Sequence, residues 1–144
     1  MRNHLMCVTL LVAAIAMKAT GSEVAAAASV QARGWTLGED AATKQNPLQA
    51  DEKTLAAGKA VFKQKCQKCH GPGGLGDGPD ADPDAAGDMD LTNPKRAERN
   101  TDGVVFYKVL NGRGNPKMPA FKDELGEEQI WQVVTYVQTL RKKG

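Results

Sequence analysis

Two thiols and an imidazole fall within five consecutive residues, Cys66-Gln67-Lys68-Cys69-His70, and no other feature of this 144-residue chain limits its fold so strongly. Cysteines at i and i+3 lie on the same side of a helical turn. At that spacing they reach two vinyl groups on one edge of a porphyrin and form a thioether to each. The histidine beside the second cysteine then stands under the iron and offers an imidazole nitrogen as an axial ligand. The motif therefore predicts one covalently attached haem c, held by Cys66 and Cys69, with His70 as the proximal iron ligand. A chain that carries such a plate must wrap around it.

Other chemistries for the same residues lack what they need. A structural zinc site takes four ligands, commonly two separated pairs of Cys or His. Beyond the cluster the chain offers only Cys7 and His4, both close to the amino terminus. A redox-active dithiol of the thioredoxin kind sits in a βαβ context, and no strand pattern flanks this one. A disulfide at i,i+3 closes too short a loop to add much stability, and it leaves the histidine without a role.

The amino terminus reads as a secretory signal. Arg2 supplies a positive start, and the mostly apolar run 5–17 covers thirteen residues, whereas a membrane-spanning helix takes about 20. Lys18 ends the run, and an alanine-rich stretch follows with small residues at −3 and −1 before several cuts, Ala26-Ala27-Ala28 and Val30-Gln31-Ala32 among them. We expect a signal peptide over 1–28, with cleavage somewhere between 19 and 32; an uncleaved anchor is the alternative. Export suits cysteines destined for thioether attachment, and it points to a bacterial periplasm, with a lumenal compartment also open.

Cleavage after Ala28 removes Arg2, Lys18 and Glu23, which takes 19 basic and 17 acidic residues to 17 and 16, a net charge of +1. That excludes a nucleic-acid binder. It also leaves His70 as the only histidine and Cys66 and Cys69 as the only cysteines.

Residues 29–50 lack sustained periodicity and hold Gly34, Gly38, Asn46 and Pro47. They read as an extended arm, either pinned to the domain through Trp35 and Leu48 or left as a loose linker. The domain proper is expected over 51–144. Asp51 is placed to cap a helix whose face carries Leu55, Gly58, Val61, Phe62, Cys66 and Cys69, and Gly71-Pro72-Gly73-Gly74 stops it just after the histidine. A long loop rich in glycine, proline and aspartate follows, to about Asn100. Thr101 caps a second helix that ends before Gly112. A last helix runs from about Glu127 to Arg141, with Ile130, Val133, Val134, Val137 and Leu140 as its buried stripe and Trp131 and Tyr136 at the margins. Nothing alternates like a strand. The expected fold is all-α: a single domain of three or four helices wrapped around one haem.

The second face of the iron also needs a ligand. With one histidine in the mature chain, two histidines are excluded, and Met89 and Met118 remain as thioethers. Met118 is the better placed, because Lys117-Met118-Pro119 lies in an irregular segment and the proline holds the backbone extended beside the sulfur. Met89 follows His70 by nineteen residues and needs a tight wrap to reach the opposite face. Ligation by histidine and methionine fills both axial positions and raises the reduction potential. Such an iron exchanges electrons and leaves no site for a small-molecule substrate, so no enzyme is expected.

These segments together resemble the class I monohaem c-type cytochromes, of the bacterial kind related to cytochrome subunits of respiratory oxidases. The resemblance runs from about Leu55 to Leu140. It rests on Gly58-Lys59-Ala60-Val61-Phe62, on Cys66-Gln67-Lys68-Cys69-His70-Gly71 with Gly76-Asp77-Gly78-Pro79 after it, and on Asn111-Gly112 followed by Met118-Pro119-Ala120-Phe121. It implies that Gly58 lets the terminal helices cross closely against Tyr136. It also implies that the carbonyl of Pro79 accepts from Nδ1 of His70. Met89, in Asp88-Met89-Asp90-Leu91, stands where relatives commonly carry a smaller or apolar residue, and this keeps it open as a second candidate ligand.

The expected function is that of a periplasmic one-electron carrier between redox-partner proteins, which dock at a haem edge flanked by Lys65, Lys68 and Lys117. Simple solvated surface is the competing reading of those lysines. The alternatives are a haem subunit of a larger dehydrogenase or oxidase complex, and a haem enzyme or gas sensor with an open iron position. Membrane contact is expected only through an uncleaved signal segment or a partner complex.

Overall fold

A computed structural model describes residues 34–115 and 117–141. The expected signal peptide and its cleavage sites lie outside the described residues. Three long helices carry the domain, and single helical turns punctuate the connection after the motif. None of the described helices is long and apolar enough to cross a membrane.

Helix α1, Glu52–Lys65, starts where the Asp51 carboxylate accepts from the Thr54 backbone N–H at 2.7 Å. Glu52 in its first turn and Lys63 and Lys65 in its last suit the helix dipole. The helix breaks at Cys66 (φ −114°), and a separate turn, α2 at Gln67–His70, completes the motif. Gly71 then adopts φ +74°, and a Cβ there would lie 1.7 Å from the Asp77 carboxylate. The backbone conformation favours glycine, while the Asp77 carboxylate could swing aside.

After the motif, the sequence pattern suggested an irregular loop; the structure contains a 3-10 turn at Pro83–Ala85 followed by α3 (Ala86–Met89) and α4 (Pro94–Ala97). Asp82 and Asn93 cap the turns at Pro83 and Pro94, each carboxyl or amide oxygen accepting from the backbone N–H two residues on. Aspartate or asparagine before proline is a helix-start signal. Elements of three or four residues are simply too short for hydrophobic periodicity to register.

Helix α5, Asp102–Asn111, is capped by Thr101 and ends on Gly112. Helix α6, Glu127–Leu140, opens with the Gln129 side chain accepting from the Gly126 N–H at 3.0 Å. The expected stripe of Ile130, Val133, Val134, Val137 and Leu140 is buried. Trp131 is not marginal as expected: it is 3 % exposed and stacks on Phe106 at 4.2 Å between ring centroids. Its indole N–H donates to Glu127 Oε1 at 3.3 Å, which satisfies the one polar atom that would oppose burial.

Helices α1 and α6 pack against each other at Gly58. A Cβ there would lie 2.1 Å from the Gln132 carbonyl oxygen and 2.9 Å from the Tyr136 Cβ, so the crossing requires glycine. One turn on, Phe62 meets the Tyr136 ring at 5.3 Å.

Residues 34–50 are docked on this framework. The Asn46 amide donates to Thr135 Oγ1 at 2.9 Å, the Tyr107 hydroxyl donates to Asp40 at 2.7 Å, and the Asn111 amide donates to the Thr36 carbonyl at 2.7 Å. Ala41 is 1 % exposed, and Leu48 packs against the main core.

Candidate haem site

The motif is presented by the break between α1 and α2. The Cys66 and Cys69 thiols are free and half-buried, and His70 closes α2. Burial, with a smaller contribution from the neighbouring Cys69, pushes the Cys66 thiol up to about 12, so it is held un-ionised. Burial also holds the His70 imidazole below its ordinary value, against the opposing effect of a hydrogen bond to a carbonyl. A neutral imidazole is what a metal requires.

That carbonyl belongs to Met89, 2.7 Å from His70 Nδ1. A carbonyl only accepts, so Nδ1 carries the proton and Nε2 keeps its lone pair for a metal. This corrects the expectation for Pro79. Pro79 is exposed, and the residues around it serve the carbonyls of the motif instead: Gly78 N–H donates to Cys69 O at 3.3 Å and Asp80 N–H to Lys68 O at 2.8 Å. The geometry also bears on Met89 as a candidate ligand. Its backbone carbonyl sits on the Nδ1 side of the ring, and its buried side chain borders a small recess that Cys69, His70 and Met118 also line.

Met118 reaches the site from the other end of the sequence. Arg113 and Met118 exchange both backbone hydrogen bonds at 2.9 Å, which closes a turn directly after α5. The chain then returns along α5, with Phe121 N–H donating to Val109 O at 3.1 Å. Met118 is half-buried and borders a cavity of about 550 Å³ together with His70 and Cys66. A smaller adjoining recess adds Cys69 to the same set.

The cavity has two kinds of lining. Phe62, Val105, Val109, Val134 and Val137 make part of it apolar. The lining also carries Arg96, Arg99, Lys108, Arg113 and Arg141, together with Asp90 and with Asp88, which pairs with Arg96 and Arg113. Lys108 is pushed down to about 8, first by burial and then by the nearby guanidinium groups. Asp88 is held below the usual carboxylate range by its hydrogen bonds, Arg96 first and Arg113 also. The Arg141 Nε is buried with no hydrogen-bond partner among the described residues.

These residues fit a haem. The volume lies within the range of small-molecule sites, roughly 300–1,000 Å³. Two thiols stand at one edge, a tautomer-fixed imidazole faces in, and the apolar wall suits a porphyrin face. The cationic wall, with one buried N–H unpaired, suits the two carboxylates that a haem carries. No group of three or more His, Cys, Asp or Glu placed to hold a metal ion occurs among the described residues.

Sequence reasoning did not find the cationic residues of the lining or the Met89 carbonyl, and it took Trp35 for a pin of the arm without placing it at the cavity, which it borders. The cations are scattered from 96 to 141 and read singly as surface. A backbone acceptor leaves no mark on residue type.

Known proteins agree with this reading of the fold. Residues 53–137, more than half of the chain, match the family described as cytochrome C oxidase, cbb3-type, subunit III. Cytochrome c6 of Leptolyngbya boryana is 33% identical over 89 residues, covering 62% of this chain and 95% of that protein. Cytochrome c6 of Chlorolobion braunii is 37% identical over 92 residues, covering 60% and 90%. A chain of the Kuenenia stuttgartiensis reducing HAO-like protein complex superposes with a TM-score of 0.54 at 32% identity, over 65% of this chain; the match spans 46%, about half, of that one. The chain therefore belongs to the family of that cbb3-type description and is a class I monohaem c-type cytochrome, whose cofactor is covalently bound haem c.

Proposed function

We propose that this chain is a periplasmic electron-transfer protein whose haem is anchored by Cys66 and Cys69 and ligated axially by His70 Nε2 and Met118 Sδ. The observation that carries the reading is that His70 and Met118, 48 positions apart in the sequence, border one cavity, and that the His70 tautomer leaves Nε2 unencumbered. When bound, the haem supplies a one-electron change between ferric and ferrous iron. The chain supplies the rest. Met118 would hold the iron through its thioether, the valine and phenylalanine residues would keep water from the haem, and the cationic residues would pair with its carboxylates. A thioether ligand and a dry surround both favour the reduced state. The reduced protein is expected not to bind carbon monoxide readily. Ready binding would mark an open iron position and favour the gas-sensor or enzyme reading.

Docking at the haem edge takes a narrower form than three free lysines. Lys65 pairs with Glu124 at 2.7 Å and Lys68 with Asp80 at 3.8 Å, while Lys117 is exposed. Paired surface charges steer weakly. Reduction by a partner protein is expected to slow moderately as ionic strength rises, and a rate indifferent to salt would remove the electrostatic docking surface. A place in a larger assembly is the second reading, favoured by the likeness to a chain from a multi-protein complex. Stable co-purification with a membrane-bound complex would decide for it.

A further inference from the structure

Asp88 stands where the supports of His70 and Met118 meet. The next residue, Met89, gives its carbonyl to His70 Nδ1 at 2.7 Å. The Asp88 carboxylate accepts from Arg96 and, at 3.0 Å, from the Arg113 guanidinium. Arg113 in turn exchanges both backbone hydrogen bonds with Met118 at 2.9 Å. A continuous path thus runs from the imidazole through Met89, Asp88 and Arg113 to the methionine, around the edge of the cavity.

The burial of this path gives it weight. The Arg113 side chain is 8 % exposed and that of Asp88 34 %, so the pair is screened less than a surface salt bridge. The Trp35 ring lies 4.5 Å from the Arg113 guanidinium carbon, and the neighbouring Thr36 carbonyl accepts from Asn111 at the end of α5. Trp35 belongs to the docked arm, upstream of the residues 53–137 that match the family. The turn holding Met118 is also fastened to α5, through the Val109 and Leu110 carbonyls that receive Phe121 and Lys122, and Met118 packs against the core. Among the described residues, Asp88–Arg113 is the ion pair that joins this turn to the segment behind His70.

We propose that Asp88 and Arg113 are positioning residues that clamp the two axial-ligand segments together, with Trp35 of the arm holding the guanidinium in place. The proposal rests on His70 and Met118 being the axial ligands. A thioether is a weak ligand to ferric iron, so its hold depends on how firmly its segment is kept in register. Asp88→Asn and Arg113→Gln each cut the link while keeping side-chain size close to the original. Both leave the Met89 carbonyl and the Met118 backbone bridge available.

The test is imidazole titration of the ferric holoprotein, comparing wild type, Asp88→Asn, Arg113→Gln and the double variant. Loosening the clamp lets added imidazole displace Met118, so each single variant is expected to bind imidazole about tenfold more tightly than wild type. The double variant is expected to match Asp88→Asn instead of multiplying the two singles, because the link that Arg113→Gln removes is already lost with the Asp88 carboxylate. Arg113→Lys, which keeps the charge, is expected to fall between wild type and Arg113→Gln. Wild-type affinity in the singles, or a double variant whose effect is the product of the two, would overturn the clamp. A wild-type ferric protein without the thioether-to-iron charge-transfer absorption would instead overturn the ligand assignment, and the clamp with it.

Discussion

Replacing Cys66 and Cys69 together by alanine is expected to yield a haem-free chain with no cooperative unfolding transition. The reason lies in the size of the cavity relative to the domain. Left empty, a cleft of about 550 Å³ exposes its apolar lining and takes away the packing that the cofactor supplies. Whole domains of this size are stable by only about 5–15 kcal/mol. The walls would therefore collapse or flood. Phe62, Val105, Val109, Val134 and Val137 belong to the main core and also face the cavity, so losing the cofactor removes packing from helices α1, α5 and α6 at once. The cationic residues add repulsion once the haem carboxylates are missing, since Asp88 then balances only Arg96 and Arg113 while Lys108 stands beside them. Thermal melting followed by far-ultraviolet circular dichroism checks this. The wild-type holoprotein is expected to melt in one sharp step and the double variant to show a shallow drift. A cooperative step in the double variant at the wild-type midpoint would contradict the account.

How much could be read from the sequence depended on whether a residue type carries its own geometry. Cysteine, cysteine and histidine at fixed spacing name a cofactor almost by themselves. Asp51 and Thr101 announce helix starts because a short side-chain oxygen there meets an otherwise unpaired N–H. The valine and isoleucine stripe of α6 shows because fourteen residues give the period room to repeat.

What failed to show was of a different kind. Trp131 sits at the edge of that stripe by angle, and it is buried because Phe106 on another helix offers a face to stack on. The acceptor for His70 is a main-chain carbonyl, and any residue at position 89 could offer one. Resemblance favoured Pro79, whose neighbours in fact cap α2. The arm held few apolar residues, and its docking rests on single hydrogen bonds from Asn46, Tyr107 and Asn111 whose partners lie 60 or more positions away. Nothing local in a sequence encodes such pairs.

The second large effect expected is that of Met118→Ala. The Met118 turn follows the Gly112 stop of α5, and the Arg113 bridge keeps its backbone in place whatever the side chain. The substitution is therefore expected to leave the helices and the thioether anchors intact while removing one ligand. Truncating a half-buried methionine costs at most a few kcal/mol of packing, about 2–5 for a full core position, so the holoprotein remains assembled. The iron is then expected to lack the sulfur ligand proposed for it. With a water or no ligand in its place, the ferric state is favoured, and the reduction potential is expected to fall.

Absorption spectroscopy of the oxidised wild type and Met118→Ala, recorded side by side, tests the central claim most directly. The wild type is expected to show the weak long-wavelength charge-transfer band of a thioether on ferric haem, and Met118→Ala is expected to lack it while keeping a covalently attached haem. A wild type without the band, or a Met118→Ala protein that retains it, would show that Met118 does not hold the iron opposite His70.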